Sequence, residues 1–222
     1  MKTRAFLGLT AALGLAALAG CSNDPYFVNP ITTVYDAVFK GKQKPTALTQ
    51  QQILQTLAAT DLPVAFFDVA DRDSQTLLIQ IETNGPYRTF ATATRQAVVM
   101  RDGMITGTRG LGGDLMSVDE GPLLDLVRAR GTGDVVYIQR FLTPEDITEV
   151  LTYRCGVEPD KRVDVAMGLV NTPAQEMVAA CESPDGPPFV DYYVVDPSGQ
   201  IVASRQWLGR HIGYGAMHML QR

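Results

Sequence analysis

Phe189-Val190-Asp191-Tyr192-Tyr193-Val194-Val195-Asp196-Pro197-Ser198-Gly199-Gln200-Ile201-Val202 reads as a strand, a turn and the start of a second strand that runs on to Leu208. Both runs are rich in aromatic and β-branched residues, the types that fit a pleated, half-buried surface. Asp first, Pro second and Gly fourth in Asp196-Pro197-Ser198-Gly199 match a type I turn. A hairpin of this kind predicts antiparallel sheet. The same signal recurs upstream, where Asp102-Gly103 sits between Val98-Val99-Met100 and Met104-Ile105.

Further runs extend the pattern on the N-terminal side. Val64 to Val69, Leu77 to Thr83, Tyr87 to Val99 and Val135 to Phe141 are strand-like, and Asn84-Gly85-Pro86 breaks the second from the third. Two segments read either way. Thr143-Pro144-Glu145-Asp146 resembles a helix start, yet the residues through Tyr153 also alternate as a strand; Ala174 to Glu182 is equally ambiguous. Strands fit the surrounding meander better. The expectation is a mainly β chain of roughly eight to eleven strands, an antiparallel barrel or strongly curved sheet.

Two helices precede the strands. Asn29 can cap the first, with Pro30 in its first turn, an apolar face of Ile31, Val34, Tyr35 and Val38, and Gly41 at its end. Thr49 and Gln52 form a capping box for the second, flanked by Leu48 and Ile53 at staple positions. Its apolar face is Ile53, Leu54, Leu57 and Ala58, and Asp61-Leu62-Pro63 stops it. A brief third helix is expected over Pro122 to Val127.

The chain opens with Lys2 and Arg4, then an apolar run of Ala, Leu and Gly that ends in Leu18-Ala19-Gly20-Cys21. This is a signal peptide over residues 1–20 finishing in a lipobox. Ala5 to Gly20 is short of the roughly 20 residues a span requires. Cys21 is then the first mature residue and the site of lipid attachment. At about 0.8 kcal/mol per buried methylene, its acyl chains make the protein a durable membrane guest. Residues 21–29 form a short tether, and 30–222 a single mainly β domain. Ser22 follows the cysteine. In many Gram-negative bacteria an Asp there retains a lipoprotein in the inner membrane, so Ser22 predicts outer-membrane residence.

The formal net charge is −5, with no run of like charges. Such a chain is a poor partner for nucleic acid or anionic surfaces. Three cysteines are present, and lipid on Cys21 leaves Cys155 and Cys181. An oxidising periplasm favours a bridge between them; two buried free thiols are the alternative. Neither lies in a CxxC pair or a papain-type surround, so neither reads as a nucleophile.

Few stretches carry chemistry. Arg109-Gly110-Leu111-Gly112-Gly113-Asp114 invites a phosphate-loop reading, but no Lys follows and no helix opens; it reads as a loop needing glycine. Asp191, Asp196, Glu176 and Glu182 could supply a pair of catalytic carboxylates, though nothing in their spacing brings them together. His211 and His218 lack zinc-site spacing, and no metal or cofactor motif is present. In Ser204-Arg205-Gln206-Trp207-Leu208-Gly209, Arg205 and Trp207 share one face by alternation and Gln206 and Leu208 the other. An indole beside a guanidinium can stack on a sugar face. The same pair equally fits a packed Trp beneath a covering Arg, the commoner use.

Taken together, Cys21, the Thr49-to-Pro63 helix leading into a strand, Thr108-Arg109-Gly110-Leu111, and above all Gly199-Gln200-Ile201-Val202 through Ser204-Arg205-Gln206-Trp207-Leu208-Gly209 resemble the YjbF/GfcB lipoproteins, found beside capsule and exopolysaccharide secretion genes. The resemblance implies a mainly β outer-membrane lipoprotein facing the periplasm, with a non-enzymatic accessory role in polysaccharide export. Its partners would be the membrane, through the anchor, and the polymer or the export machinery. Arg205, Trp207 and Arg109 are the residues expected to contact polymer or partner. The Cys155–Cys181 pair is a feature of this sequence rather than of the family pattern. Two other readings are carried alongside: an enzyme modifying periplasmic glycan, and a lipid-binding module like the lipoprotein carriers.

Overall fold

The computed structural model describes residues 47–143 and 147–222, all within one compact unit, Pro45–Arg222. The signal peptide, Cys21, the tether, the helix expected from Pro30 to Gly41 and the Pro144-Glu145-Asp146 segment lie outside the described residues.

Among the described residues, twelve strands follow one another in a single antiparallel sheet: β1 (Val64–Val69), β2 (Ser74–Asn84), β3 (Tyr87–Ala91), β4 (Ala97–Arg101), β5 (Met104–Arg109), β6 (Leu115–Asp119), β7 (Gly133–Leu142), β8 (Thr148–Met167), β9 (Val170–Glu182), β10 (Phe189–Val195), β11 (Ile201–Trp207) and β12 (Tyr214–Gln221). Their order is β5-β4-β3-β2-β1-β12-β11-β10-β9-β8-β7-β6. Pairing β1 with β12 brings the two halves of the meander together, with Phe66 opposite His218 and Phe67 opposite Met217. The sheet curls into a nearly closed barrel, in which β5 and β6 face each other across a seam.

Of the two ambiguous segments, the first is strand from Thr148 onward, in β8, and Ala174 to Glu182 is strand, in β9. The expected Tyr87-to-Val99 run divides into β3 and β4 around a turn in which Arg95 takes positive φ. The Asp102-Gly103 turn has φ of 49° and 88°, the doubly positive geometry of a two-residue hairpin. A Cβ on Gly103 would lie 2.0 Å from the carbonyl oxygen of Ile201, so only glycine fits there. Asp196 accepts from the Ser198 and Gln200 backbone N–H groups at 2.9 and 3.0 Å, and Gly199 N–H closes the turn onto the Asp196 carbonyl at 3.0 Å.

Strand alternation fills the interior. Phe189, Asp191, Tyr193 and Val195 of β10 point in, and Tyr137, Tyr153, Tyr193, Phe67 and Phe90 are among the largest fully buried side chains. The helix α1 (Gln50–Ala59) lies outside the barrel. Thr49 and Gln52 form the expected capping box, worth about 1 kcal/mol. Ile53 and Leu57 pack on Val64, Phe66, Leu77, Ile79 and Leu220, the outward side chains of β1, β2 and β12. Leu54, expected on that face, is instead exposed. The second helix, α2 (Gly121–Arg128), packs against β7, β8 and β10, with Leu123, Leu124 and Val127 fully buried.

The barrel therefore has two unlike ends. The turn end carries hairpins 84–87, 101–104 and 195–201, with α2 tied across it: Arg128 bonds the Asp102 carboxylate at 2.7 Å and the Gly199 carbonyl at 2.9 Å. The loop end carries loops 92–96, 110–114, 183–188 and 208–213. β8 outruns β7 past Val157, and β9 runs on beyond its pairing with β10 at Gln175; the hairpin turns back on β12, where Leu169 N–H donates to the Leu220 carbonyl at 2.7 Å.

Candidate functional site

Asp191 is fully buried where β10 and β11 part. Their last paired residues towards the loop end are Tyr192 and Arg205. Beyond them side chains replace the ladder. Asp191 Oδ1 accepts from the Trp207 backbone N–H at 2.7 Å, and the Tyr214 hydroxyl accepts from Val190 N–H at 3.1 Å. Tyr193 donates to the other Asp191 oxygen at 3.1 Å. Burial pushes the Asp191 carboxyl up to about 7, while those two donors and the nearby Arg205 charge pull the other way.

The aromatic residues fill the gap. Trp207 stacks on Phe189 with centroids 6.5 Å apart and meets Tyr214 edge-on at 5.4 Å. The Arg205 guanidinium lies 3.5 Å above the Tyr214 ring. Arg205 and Trp207 do share a face, and Tyr214 lies against both. Gln206 points inward, as alternation predicts, and its amide binds both backbone groups of Ile105, at 2.9 and 3.2 Å.

Arg109 has a different environment from Arg205 and Trp207. Its guanidinium donates to the carbonyls of Leu115 and Met116, each at 3.2 Å, across the β5–β6 seam. Thr108 adds to the same junction: its hydroxyl donates to Asp114 at 2.9 Å and accepts from Leu115 N–H at 3.0 Å. The structure thus brings Arg205 and Trp207 together and leaves Arg109 apart from them.

The glycine-rich loop holds an anion of its own. Asp114 accepts from Gly110 N–H at 2.7 Å and Leu111 N–H at 3.0 Å, the backbone donors a phosphate would otherwise meet. Arg72 clamps this loop to the next one, donating to the Leu111 carbonyl, to Gly112 and, at 2.7 Å, to His211. A Cβ on Gly113 would lie 2.4 Å from that of His211, so the two loops meet backbone against side chain.

Between these loops and the end of β7 opens a cleft of about 440 Å³, lined by Arg72, Gly112, Gly113, Asp114, Leu142, Thr143 and His211. A narrower recess of about 40 Å³ adjoins it, with Trp207, Phe141, Glu149 and Arg210 in its wall. Of the three residues expected to contact polymer or partner, Trp207 lines this cleft system. Arg210, Glu149 and His211 are the further side chains there. Arg210 and His211 directly follow the Trp207-Leu208-Gly209 motif, the one signal that could have pointed to them.

The other candidates have separate surroundings. Asp196 holds its turn and pairs with Arg222 at 2.8 Å; Glu176 pairs with Lys161 at 2.9 Å. His218 packs against Phe66, and burial lowers its pKa while Asp68 opposes the shift. Cys155 and Cys181 are directly opposite on β8 and β9, with Cα atoms 4.0 Å apart, and are joined as a disulfide.

A filled, nearly closed antiparallel barrel whose motif residues brace the wall, with a loop cleft at one end, is the architecture in hand. The chain belongs to the family described as group 4 capsule polysaccharide lipoprotein GfcB, YjbF, whose model matches residues 31–220. Among solved structures it is similar to the hypothetical lipoprotein YmcC from Escherichia coli K12, with a TM-score of 0.66 and 14% identity over 88% of this chain and 97% of that one. A putative exported protein with a YmcC-like fold from Bacteroides fragilis NCTC 9343 gives a TM-score of 0.32 at 10% identity, covering 72% of this chain and 93% of that one. No curated protein matches.

Proposed function

We propose that this protein is an outer-membrane lipoprotein, facing the periplasm, that assists secretion of capsule or exopolysaccharide without catalysing a reaction. Cys21 carries the lipid after removal of residues 1–20, and residues 21–29 tether the domain of residues 30–222. The observation that carries this reading is the family match over residues 31–220. The geometry supports its non-enzymatic part. Asp191 is held by a backbone N–H and a tyrosine inside the wall, while Asp196 and Glu176 each have a cation partner. Among the described residues, tyrosine, phenylalanine and leucine side chains fill the barrel interior, where a lipid carrier requires an apolar cavity. The loop-end cleft beside Trp207 is the surface offered to polymer or export machinery. Deleting the gene in a producing strain and measuring secreted polymer tests the proposal: secretion falls, whereas unchanged secretion contradicts it.

A further inference from the structure

A second cleft, of about 190 Å³, opens at the turn end, away from the loops of the candidate site. Register explains its lining. Arg88 on β3 is paired with Thr83 on β2 and with Met100 on β4, so the three side chains share one face. Phe90, two residues on, shares it too, and is buried. Phe90, Met100 and Met219 make an apolar floor; Thr83, Arg88 and Gln200 make a polar rim.

The charges of this cleft are unbalanced. Arg88 is exposed and makes no hydrogen bond or ion pair among the described residues. Among the described residues, the one acid in the wall, Asp102, is already neutralised by Arg128 at 2.7 Å. The uncompensated charge is therefore positive, in a chain whose net charge is −5. The wall is also firm. Gly103 presses on Ile201, whose N–H donates to the Asp102 carbonyl at 3.0 Å.

We propose that this cleft binds a carboxylated sugar unit, with Arg88 taking the carboxylate, Thr83 and Gln200 the hydroxyls, and Phe90, Met100 and Met219 the apolar face of the ring. A guanidinium fork matches a planar carboxylate with two parallel hydrogen bonds. The volume corresponds to about six waters, which suits one ring rather than a chain. The choice of a sugar rests on the reading of this protein as a partner of capsule polymer.

The test is titration of the full-length protein in detergent with methyl glucuronide, methyl glucoside and inorganic phosphate, read by calorimetry. The glucuronide is expected to bind at least about tenfold more tightly than the glucoside, and Arg88→Gln to weaken it about tenfold or more, the usual scale of a charge-assisted hydrogen bond. Because Arg88 has no partner among the described residues, the variant should melt with the wild type. Thr83→Trp, which fills the mouth from an exposed position, should block binding independently. Equal binding of glucuronide and glucoside overturns the proposal, as does tighter binding of phosphate, or full affinity in both variants. Normal secretion after gene deletion, with glucuronide binding intact, upholds the site and contradicts the secretory role alone.

Discussion

Gln206 of β11 reaches through the barrel interior to Ile105 of β5 and pairs with both of its backbone groups, accepting from the N–H at 2.9 Å and donating to the carbonyl at 3.2 Å. Among the described residues, β5 has a strand partner only on its β4 side. The side-chain amide of Gln206 thus acts as one peptide unit of a missing neighbour. A sheet edge inside a packed domain cannot leave such groups bare, since each orphaned one costs about 1–3 kcal/mol.

Gln206→Ala therefore strands a buried N–H and a buried carbonyl. The expected loss is about 2–4 kcal/mol in urea unfolding. Arg205→Ala, one residue away, removes a cation that lies above Tyr214 and near Asp191, and should cost about 1 kcal/mol. Equal losses from the two would contradict the role assigned to Gln206.

Asp191 makes stability depend on pH in an unusual direction. Its carboxyl titrates at about 7 in the folded protein, because burial disfavours its charge. Unfolded, an Asp titrates near about 4. Between these values the folded protein keeps a proton that the unfolded chain has released. Stability from this group is thus present below about pH 4 and is lost as pH rises to about 7. Asp191→Asn keeps an acceptor for the Trp207 N–H and removes the titration. The variant should gain on the wild type in denaturation midpoint as pH rises through that window; a difference constant with pH would refute the assignment.

Asp114 occupies the backbone donors of the glycine-rich loop. In Asp114→Ala, Gly110 and Leu111 lose their acceptor, and Thr108 loses a partner. Hydrogen exchange at those two amides should accelerate at least about tenfold, while amides of β10 stay protected. Unchanged exchange would mean that Arg72 alone holds the loop.

The Cys155–Cys181 bridge closes a separation of 26 residues. By loop entropy, its removal in a Cys155→Ser, Cys181→Ser variant should cost about 3–4 kcal/mol at most. Non-reducing and reducing gels of the wild type should differ in mobility. Two titratable thiols in the folded, unreduced protein would rule the bridge out.

What the sequence revealed was local. Asp102-Gly103 and Asp196-Pro197-Ser198-Gly199 carry their turn chemistry within four residues, and Thr49 and Gln52 their cap within one helical turn. The β8–β9 hairpin was only partly legible. Pro159, Asp160, Lys161 and Arg162 lie at a register shift in an exposed ladder, so neither burial nor alternation marks that stretch as strand. β6 escaped because its five residues follow a glycine-rich loop and show no clear alternation. The partner of Gln206 was out of reach for a different reason. An inward polar residue announces that it needs a partner, but Ile105 lies 101 residues away from Gln206. Arg88 gave no sign in sequence, since an isolated arginine on a strand becomes notable only once its neighbours prove to be Thr83 and Met100.

The most direct measurement is complementation of a deletion strain with wild-type protein and with Cys21→Ser, scoring secreted polymer and fatty-acid labelling together. The account predicts that wild-type protein is labelled and restores secretion, while the serine variant is unlabelled and fails at equal abundance. Full restoration by unlabelled Cys21→Ser would contradict a function that depends on anchoring.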